Sequence, residues 1–345
     1  MHTMKKSLLA LAAIAAVSGS AFAQSSVTMY GQIDQGVGQQ SETVKNREVL
    51  AGSANRLGFR GVEDLGGGLK AFFEFQHRFS ADTGVANSTF WDGKSFVGLQ
   101  TAFGNVYLGR EDNPAYALSQ SAGDPWGTDT VAQNTTILNG RGIGTNRYAN
   151  SVNYRGTFGG FTVGAQIAEA DGSKRQSTGE DRPWSVAGVY TGGPITIGFG
   201  YEDPANTDAY WATVNGAWDF KVVKLIGLYG WGETGVGTPT QTGGNVGGGT
   251  SLTTVNNERK AYIIGLTAPI GNGELKASYG QLDNKNKVTG VKSKLDKQFG
   301  LGYHYALSKR TTIYADYVNE GNDAVKAAGS NLEKNGYDFG IKHKF

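Results

Sequence analysis

The sequence lacks cysteine, and its 345 residues include only seven prolines. Without cysteine, neither a disulfide framework nor a thiolate metal site can form. Beyond the first 23 residues there is no run of 18 apolar residues, so hydropathy predicts no membrane-spanning helix there. The formal net charge is only +2, so bulk charge indicates neither a nucleic acid nor an acidic partner.

The N-terminal segment has the pattern of a secretory signal peptide. Two lysines precede an apolar run at 8–17, and Ala21-Phe22-Ala23 fits the small-x-small rule for cleavage. We therefore expect a cleaved signal peptide at 1–23, whether translation starts at Met1 or at Met4. The remainder, 24–345, is expected to form a single domain, with a formal charge near zero once the two lysines are removed.

Glycine and aromatic residues are abundant, with 53 Gly, 16 Tyr and 16 Phe. Apolar and small or polar residues alternate along most of the chain, as in "FTVGAQIA" at 161–168. A period of two residues is typical of β-strands. The alternation predicts sixteen strands, at approximately 27–37, 54–63, 69–79, 94–101, 105–110, 148–156, 160–168, 184–191, 194–202, 208–217, 220–230, 259–268, 273–281, 297–306, 310–319 and 336–345.

Short turns and long loops alternate between these strands, and the longest loop runs from about 111 to 145. A water-soluble β-sandwich would use the apolar face of each strand as its core. It would not require one alternating meander of this length. A transmembrane antiparallel 16-stranded β-barrel accounts for the even strand number, the two kinds of connection and the low mean hydropathy of −0.35. The sequence therefore favours the barrel.

The last strand, "GYDFGIKHKF", carries its aromatic and apolar residues at alternate positions and ends on an aromatic side chain. A closed barrel allows such a strand to finish at the membrane interface. This pattern resembles the C-terminal signal that the barrel assembly machinery of Gram-negative bacteria reads, and we expect four residues to serve as that signal. They are Tyr337, Phe339, Ile341 and Phe345.

Two segments, "RLGFRGVEDLGGGLKA" at 56–71 and "FVGLQTAFGNVYLGR" at 96–110, resemble the general diffusion porins of beta-proteobacteria, a Gram-negative outer-membrane family. The resemblance covers the whole chain after the signal peptide. It implies a homotrimer of barrels in contact with outer-membrane lipid and lipopolysaccharide. Short turns would face the periplasm, long loops would face outside, and the third long loop would fold into the lumen as a constriction loop.

Strand parity then indicates which charged side chains face the lumen. Leu57 and Phe59 would face lipid, so their neighbours in sequence face inward. The same reasoning gives a basic wall of Arg56, Arg60, Arg78, Arg147 and Arg155. The opposing acids on the loop are Glu111, Asp112, Asp124 and Asp129. Because fixed charges at a narrow point select ions by sign, we expect passive diffusion of ions and small hydrophilic solutes, with a preference for anions.

Two other functions stay open on the sequence alone. An outer-membrane hydrolase would need a Ser or His at an outward position near a barrel rim; His343 has that parity, but no partner is visible. A substrate-specific channel, perhaps for a sugar, would need a line of lumen aromatics, and only Tyr30 and Phe72 are candidates. We find no nucleotide-binding, hydrolase or metal motif, so no cofactor, metal or nucleic acid is expected.

Overall fold

In the computed structural model, sixteen antiparallel strands form a closed ring. The structure describes residues 26–41, 46–169, 182–204, 208–235, 239–241, 250–252, 256–321 and 333–345. The predicted signal peptide lies outside these residues. Within them, no helix has both the length and the apolar character needed to cross a membrane.

The ring strands are numbered here in chain order. They are β1 (Ser26–Gln39), β2 (Asn55–Gly66), β3 (Leu69–Phe79), β4 (Lys94–Thr101), β5 (Gly104–Asp112), β6 (Arg147–Phe158), β7 (Phe161–Ala168), β8 (Trp184–Gly192), β9 (Ile195–Asp203), β10 (Tyr210–Asp219), β11 (Lys224–Thr234), β12 (Asn257–Ile270), β13 (Gly273–Asn286), β14 (Lys292–Ala306), β15 (Thr311–Glu320) and β16 (Asn335–Lys344). A short strand at Glu48–Leu50 pairs with β1 in the same sheet, whereas Pro239–Gln241 and Thr250–Leu252 pair with each other in a separate one.

The ring closes because β16 pairs with β1, which pairs with β2 on its other side. At the seam, the N–H of Phe345 donates to the carbonyl of Gly31 at 3.1 Å, and the N–H of Gly31 donates back at 3.0 Å. The Phe345 ring covers Gly31, where a Cβ would lie 2.2 Å from the ring. A sheet without a free edge pairs its backbone groups internally, as a membrane-spanning sheet must.

The two faces of the ring differ in polarity in the sense that sequence parity predicted. The outward face exposes large apolar side chains such as Val27, Met29 and Phe339. The inward face carries polar side chains that neighbouring groups bury, including Gln32 and Asp34. This inverted arrangement and the closed ring confirm the barrel and exclude the sandwich.

The observed strands match the predicted ones in number and order, but four boundaries differ by more than three residues: both ends of β11, the end of β13 and the start of β14. β11 was predicted at 220–230 and begins only at Lys224, because the turn lies at 220–223. There the side chain of Asp219 accepts the N–H of Lys221 at 2.6 Å. β13 extends to Asn286 and β14 begins at Lys292, because their polar ends remain paired beyond the apolar band.

The third long connection, 113–146, folds into the lumen and is called the inserted loop below. It contains three short helical turns, at Ala115–Gln120, Ser121–Gly123 and Thr135–Leu138. Its apolar side chains form a core with the inner wall, made of Ile137, Leu138, Ile143, Trp211, Leu228, Ala261, Ile263 and Leu282.

Wall glycines allow the inserted loop to approach closely. A Cβ at Gly265 would lie 2.3 Å from the ring of Pro125, and one at Gly300 would lie 2.8 Å from Trp126. Both distances are too short for a side chain to be present without a shift of the loop. The inserted loop is therefore a packed part of the barrel interior.

The seam generates a prediction about Phe345. Deleting this residue removes two backbone hydrogen bonds and the ring over Gly31, so fewer barrels should close and reach the outer membrane. The amount of heat-modifiable protein in outer-membrane fractions measures this, while the conductance of each inserted channel should stay unchanged. Lys344→Gln, at the adjacent position, is the control. Normal outer-membrane levels of the shortened chain would contradict the prediction.

Candidate functional site

The inserted loop covers one half of the inner wall and leaves the other half facing it. Its contacts lie mainly on strands from β7 round to β16, and Thr130 also donates its N–H to the carbonyl of Gly52, just before β2, at 2.6 Å. The anchoring hydrogen bonds, with their lengths, are Ala115 N–H to Ser185 Oγ (3.0 Å), Trp211 Nε1 to Leu138 O (2.8 Å), Gln298 Nε2 to Gln133 O (2.9 Å) and Trp126 Nε1 to Asp316 Oδ1 (3.0 Å). The uncovered half, the lumen face of β1 to β6, is called the basic wall below.

Three arginines of the basic wall lie near the loop end of their strands. Arg56 and Arg78 are directly opposite each other on β2 and β3. Arg56 donates to Gln32 Oε1 at 2.9 Å, and Arg78 is largely buried. Arg147, at the start of β6, forms an ion pair with Asp112 at 2.7 Å. These residues form the upper tier of the wall.

Two further arginines lie lower, toward the short turns, and their residues are exposed. The guanidinium carbon of Arg60 lies 5.4 Å from the ring centre of Tyr30, which is a cation–π distance. Arg155 lies opposite Asn105 on one side and Gly164 on the other. They form the lower tier. The five arginines thus lie on β2, β3 and β6, at two heights.

The two acids at the foot of the inserted loop have cationic partners. Glu111 lies 3.1 Å from the ammonium of Lys94, which is also 3.8 Å from Glu74. Asp112 takes Arg147 as its partner. Their negative charge is thus compensated within the wall.

The two acids farther along the loop are also engaged. Asp129 forms an ion pair with Lys342 at 2.7 Å. Asp124 is buried inside the loop, where it accepts the backbone N–H of Thr128 at 2.8 Å and the side-chain amide of Asn134 at 3.0 Å. Burial raises the pKa of the Asp124 carboxyl, and these hydrogen bonds act in the opposite direction. Asp124 was expected to face the lumen, but its carboxylate holds the loop together instead.

Sequence reasoning missed Lys94 and Lys342 as partners of the loop acids. Lys94 has the same parity as Phe96, which is buried on the lumen side, so its direction was available from the strand pattern. Its partner was not, because it depends on how β4 and β5 pair. Ser95 lies opposite Arg110, so Lys94 and Glu111 come next to each other on the lumen side.

Lumen aromatics are also more numerous than expected. Besides Tyr30 and Phe72, the inward face carries Phe96 and Tyr107, which are buried. Gly98 leaves space beside Tyr107, since a Cβ there would lie 2.3 Å from the Tyr107 Cβ. In the described part of the chain, no group of His, Asp and Glu side chains is arranged to hold a metal ion.

Comparison with known proteins gives a consistent result. The family profile described as Gram-negative porin matches residues 10–325. An outer membrane porin protein of Bordetella pertussis is 31% identical over 99% of this chain and 100% of its own length. An outer membrane porin protein of Delftia acidovorans is 30% identical, with coverage of 99% and 100%.

Solved structures share the fold. The anion-selective porin from Comamonas acidovorans has a TM-score of 0.73 and 27% identity, over 93% of this chain and 100% of that one. OmpT of Vibrio cholerae, in a trimer form, has a TM-score of 0.69 and 14% identity, with coverage of 93% and 99%. The second likeness bears on the fold alone.

The pairing of Lys94 leads to a prediction about charge in the lumen. Lys94→Gln should leave Glu111 and Glu74 without their nearest cation, so the local concentration of anions should fall. The zero-current potential across a planar bilayer under a dilute salt gradient should shift toward cation preference. Lys309→Gln, on an exposed turn, is the control and should leave the potential unchanged. Equal potentials for both variants would count against the assigned pairing.

Proposed function

Because the chain belongs to the Gram-negative porin family, it forms an outer-membrane channel for passive diffusion, and we propose that this channel prefers anions. Its relatives are named porins, which are channels and not enzymes, so the hydrolase alternative is set aside. The solutes are small ions and hydrophilic molecules that fit between the inserted loop and the basic wall.

One observation carries the proposed anion preference, namely the unequal pairing of charges across the constriction. Glu111 and Asp112 at the foot of the inserted loop, and Asp129 on it, each have a cationic partner within 3.1 Å. By contrast, among the residues that the structure describes, no carboxylate lies within 4.0 Å of four arginines. They are Arg56, Arg60, Arg78 and Arg155.

Unpaired guanidinium groups give the lumen a positive potential that does not vary over the working pH range. Fixed charge of one sign in a narrow, protein-lined passage raises the concentration of the opposite ion. Asp124, buried within the loop, contributes little to this field. The anion selectivity named for the Comamonas porin belongs to that protein, and at 27% identity it supports the same proposal here.

The selectivity of arginine variants tests this proposal. Arg60→Ser or Arg78→Ser removes one lumen charge and should shift the zero-current potential toward cations, most strongly at low salt where screening is weak. Leu57→Ser, outward on the same strand as Arg60, is the matched control and should leave the potential unchanged. If the Leu57 variant shifts the potential as far as the arginine variants do, the basic wall does not set selectivity.

We also infer that the protein is a homotrimer. A groove on the outer face, near the seam, is lined by Val37, Val49, Ile313, Phe339 and Ile341 together with Gln35. Neither side-chain amide atom of Gln35 has a hydrogen-bond partner among the described residues. An unpaired amide is costly where lipid replaces water. A second copy of the barrel that packs on this groove would supply both a partner and apolar contact.

The trimer can be tested at Gln35. Gln35→Leu keeps the approximate volume but removes the amide, so the oligomer should dissociate at a lower temperature. Electrophoresis of samples heated stepwise before loading measures that temperature. Val214→Leu, on the lipid-facing side of β10 across the ring, is the control. Identical dissociation temperatures, or a monomer at every temperature, would refute this interface.

Other expected contacts follow from the outward face. Lipid and lipopolysaccharide would cover the exposed apolar band, and Tyr337, Phe339, Ile341 and Phe345 would present the assembly signal on β16. Tyr337 also accepts a hydrogen bond from Arg47 at 3.1 Å. These partners are part of the proposal and are supported by the outward direction of the β16 side chains.

A further inference from the structure

Three aromatic rings form a cluster on the lumen side of the basic wall, toward the short turns. The ring centres of Phe96 and Tyr107 are 5.0 Å apart, and Phe72 lies 5.9 Å and 5.7 Å from them. Phe72 meets both partners edge to face, which is a favourable geometry for aromatic pairs.

The cluster lies on the lumen side and does not face lipid, and Phe72 is its accessible member, because Phe96 and Tyr107 are buried. On β4, Val97 and Leu99 point outward and are exposed there, whereas Phe96 points inward. Phe72 is half-buried, and Val62, opposite it on β2, is 41% exposed on the inward side. Removing an apolar surface from pore water is favourable in free energy. A solute with an apolar part can cover it.

The lower-tier arginines flank the cluster on both sides. Arg60 lies opposite Glu74, so it is diagonal to Phe72 on the neighbouring strand. Arg155 is likewise diagonal to Tyr107, which lies opposite Asn153. Diagonal neighbours on one face of an antiparallel pair are about 7–8 Å apart, within reach of long side chains.

Glu74 is the carboxylate that strand pairing places closest to these rings, and it already has hydrogen-bond and ion-pair partners. Tyr30 donates its hydroxyl to Glu74, and Lys94 lies 3.8 Å from it. The ammonium of Lys94 also lies 5.9 Å from the Phe96 ring centre. The surroundings of the rings therefore combine unpaired guanidinium groups with a compensated acid.

We propose that Phe72, Phe96 and Tyr107, with Arg60 and Arg155, form a binding site for small aromatic carboxylates below the constriction. This inference rests on the proposed anion preference and adds a solute class to it. The solute ring packs against the Phe72 edge, and its carboxylate lies at one of the guanidinium groups. An aliphatic acid lacks the ring and a neutral aromatic lacks the charge, so each retains only part of the interaction.

Benzoate tests the site in planar bilayers that contain the full protein. At constant chloride, added benzoate should reduce the chloride current in a saturable manner, because an occupied site obstructs the lumen. Acetate and benzyl alcohol at the same concentrations should have no saturable effect. Phe72→Ser should raise the half-blocking concentration about two- to tenfold, the range expected for one aromatic pair. Arg60→Ser should raise it as well, whereas Thr196→Ala, on the opposite wall, should not.

The outcomes separate this site from the anion preference itself. If benzoate and acetate act alike on the wild-type channel, or if Phe72→Ser leaves the block unchanged, the site is refuted while chloride selectivity stands. If the channel instead selects cations, the anion preference on which the site depends is refuted. If Phe72→Ser does not assemble, Phe72→Leu, which keeps an apolar side chain but no ring, replaces it with the same expected direction. The comparison of benzoate with acetate on the wild-type channel needs no variant.

Discussion

The pairing of backbone groups in lipid is the constraint on which the rest of this structure depends. A sheet can cross a membrane only when it has no free edge, so β16 must return to β1. Closure at Gly31 and Phe345 completes the ring. It also creates a lumen wide enough that wall side chains cannot fill it, and the inserted loop occupies part of that space.

The inserted loop divides the lumen into two unlike halves. The wall of one half packs against the loop, through the apolar core around Trp211 and the close approach at Gly265 and Gly300. The acids on the loop and at its foot also have partners, because they bind Lys94, Arg147, Lys342 or the loop's own amides. In the other half, four arginines have no carboxylate within 4.0 Å among the described residues, namely Arg56, Arg60, Arg78 and Arg155. The polarity of the pore thus follows from how the loop is attached, although the chain as a whole is nearly neutral.

Sequence pattern predicts the number, order and faces of the strands, because a two-residue period is a property of each strand by itself. The same parity places Arg56, Arg60, Arg78 and Arg155 on the lumen face. It does not predict the partner of Glu111, which depends on the register of β4 against β5. The burial of Asp124 depends on the path of the loop, and the meeting of Phe96 with Tyr107 depends on strand pairing. These features arise only when the barrel is closed.

The most direct measurement of the central claim is the zero-current potential of the wild-type channel in a planar bilayer, at fixed salt ratio and rising ionic strength. The screening length falls from about 30 Å at 0.01 M to about 3 Å at 1 M. If unpaired arginines set the field, the potential should indicate anion preference at low salt and diminish steadily as salt increases. A potential that indicates cation preference at low salt would show that the loop acids dominate the constriction and would contradict the account.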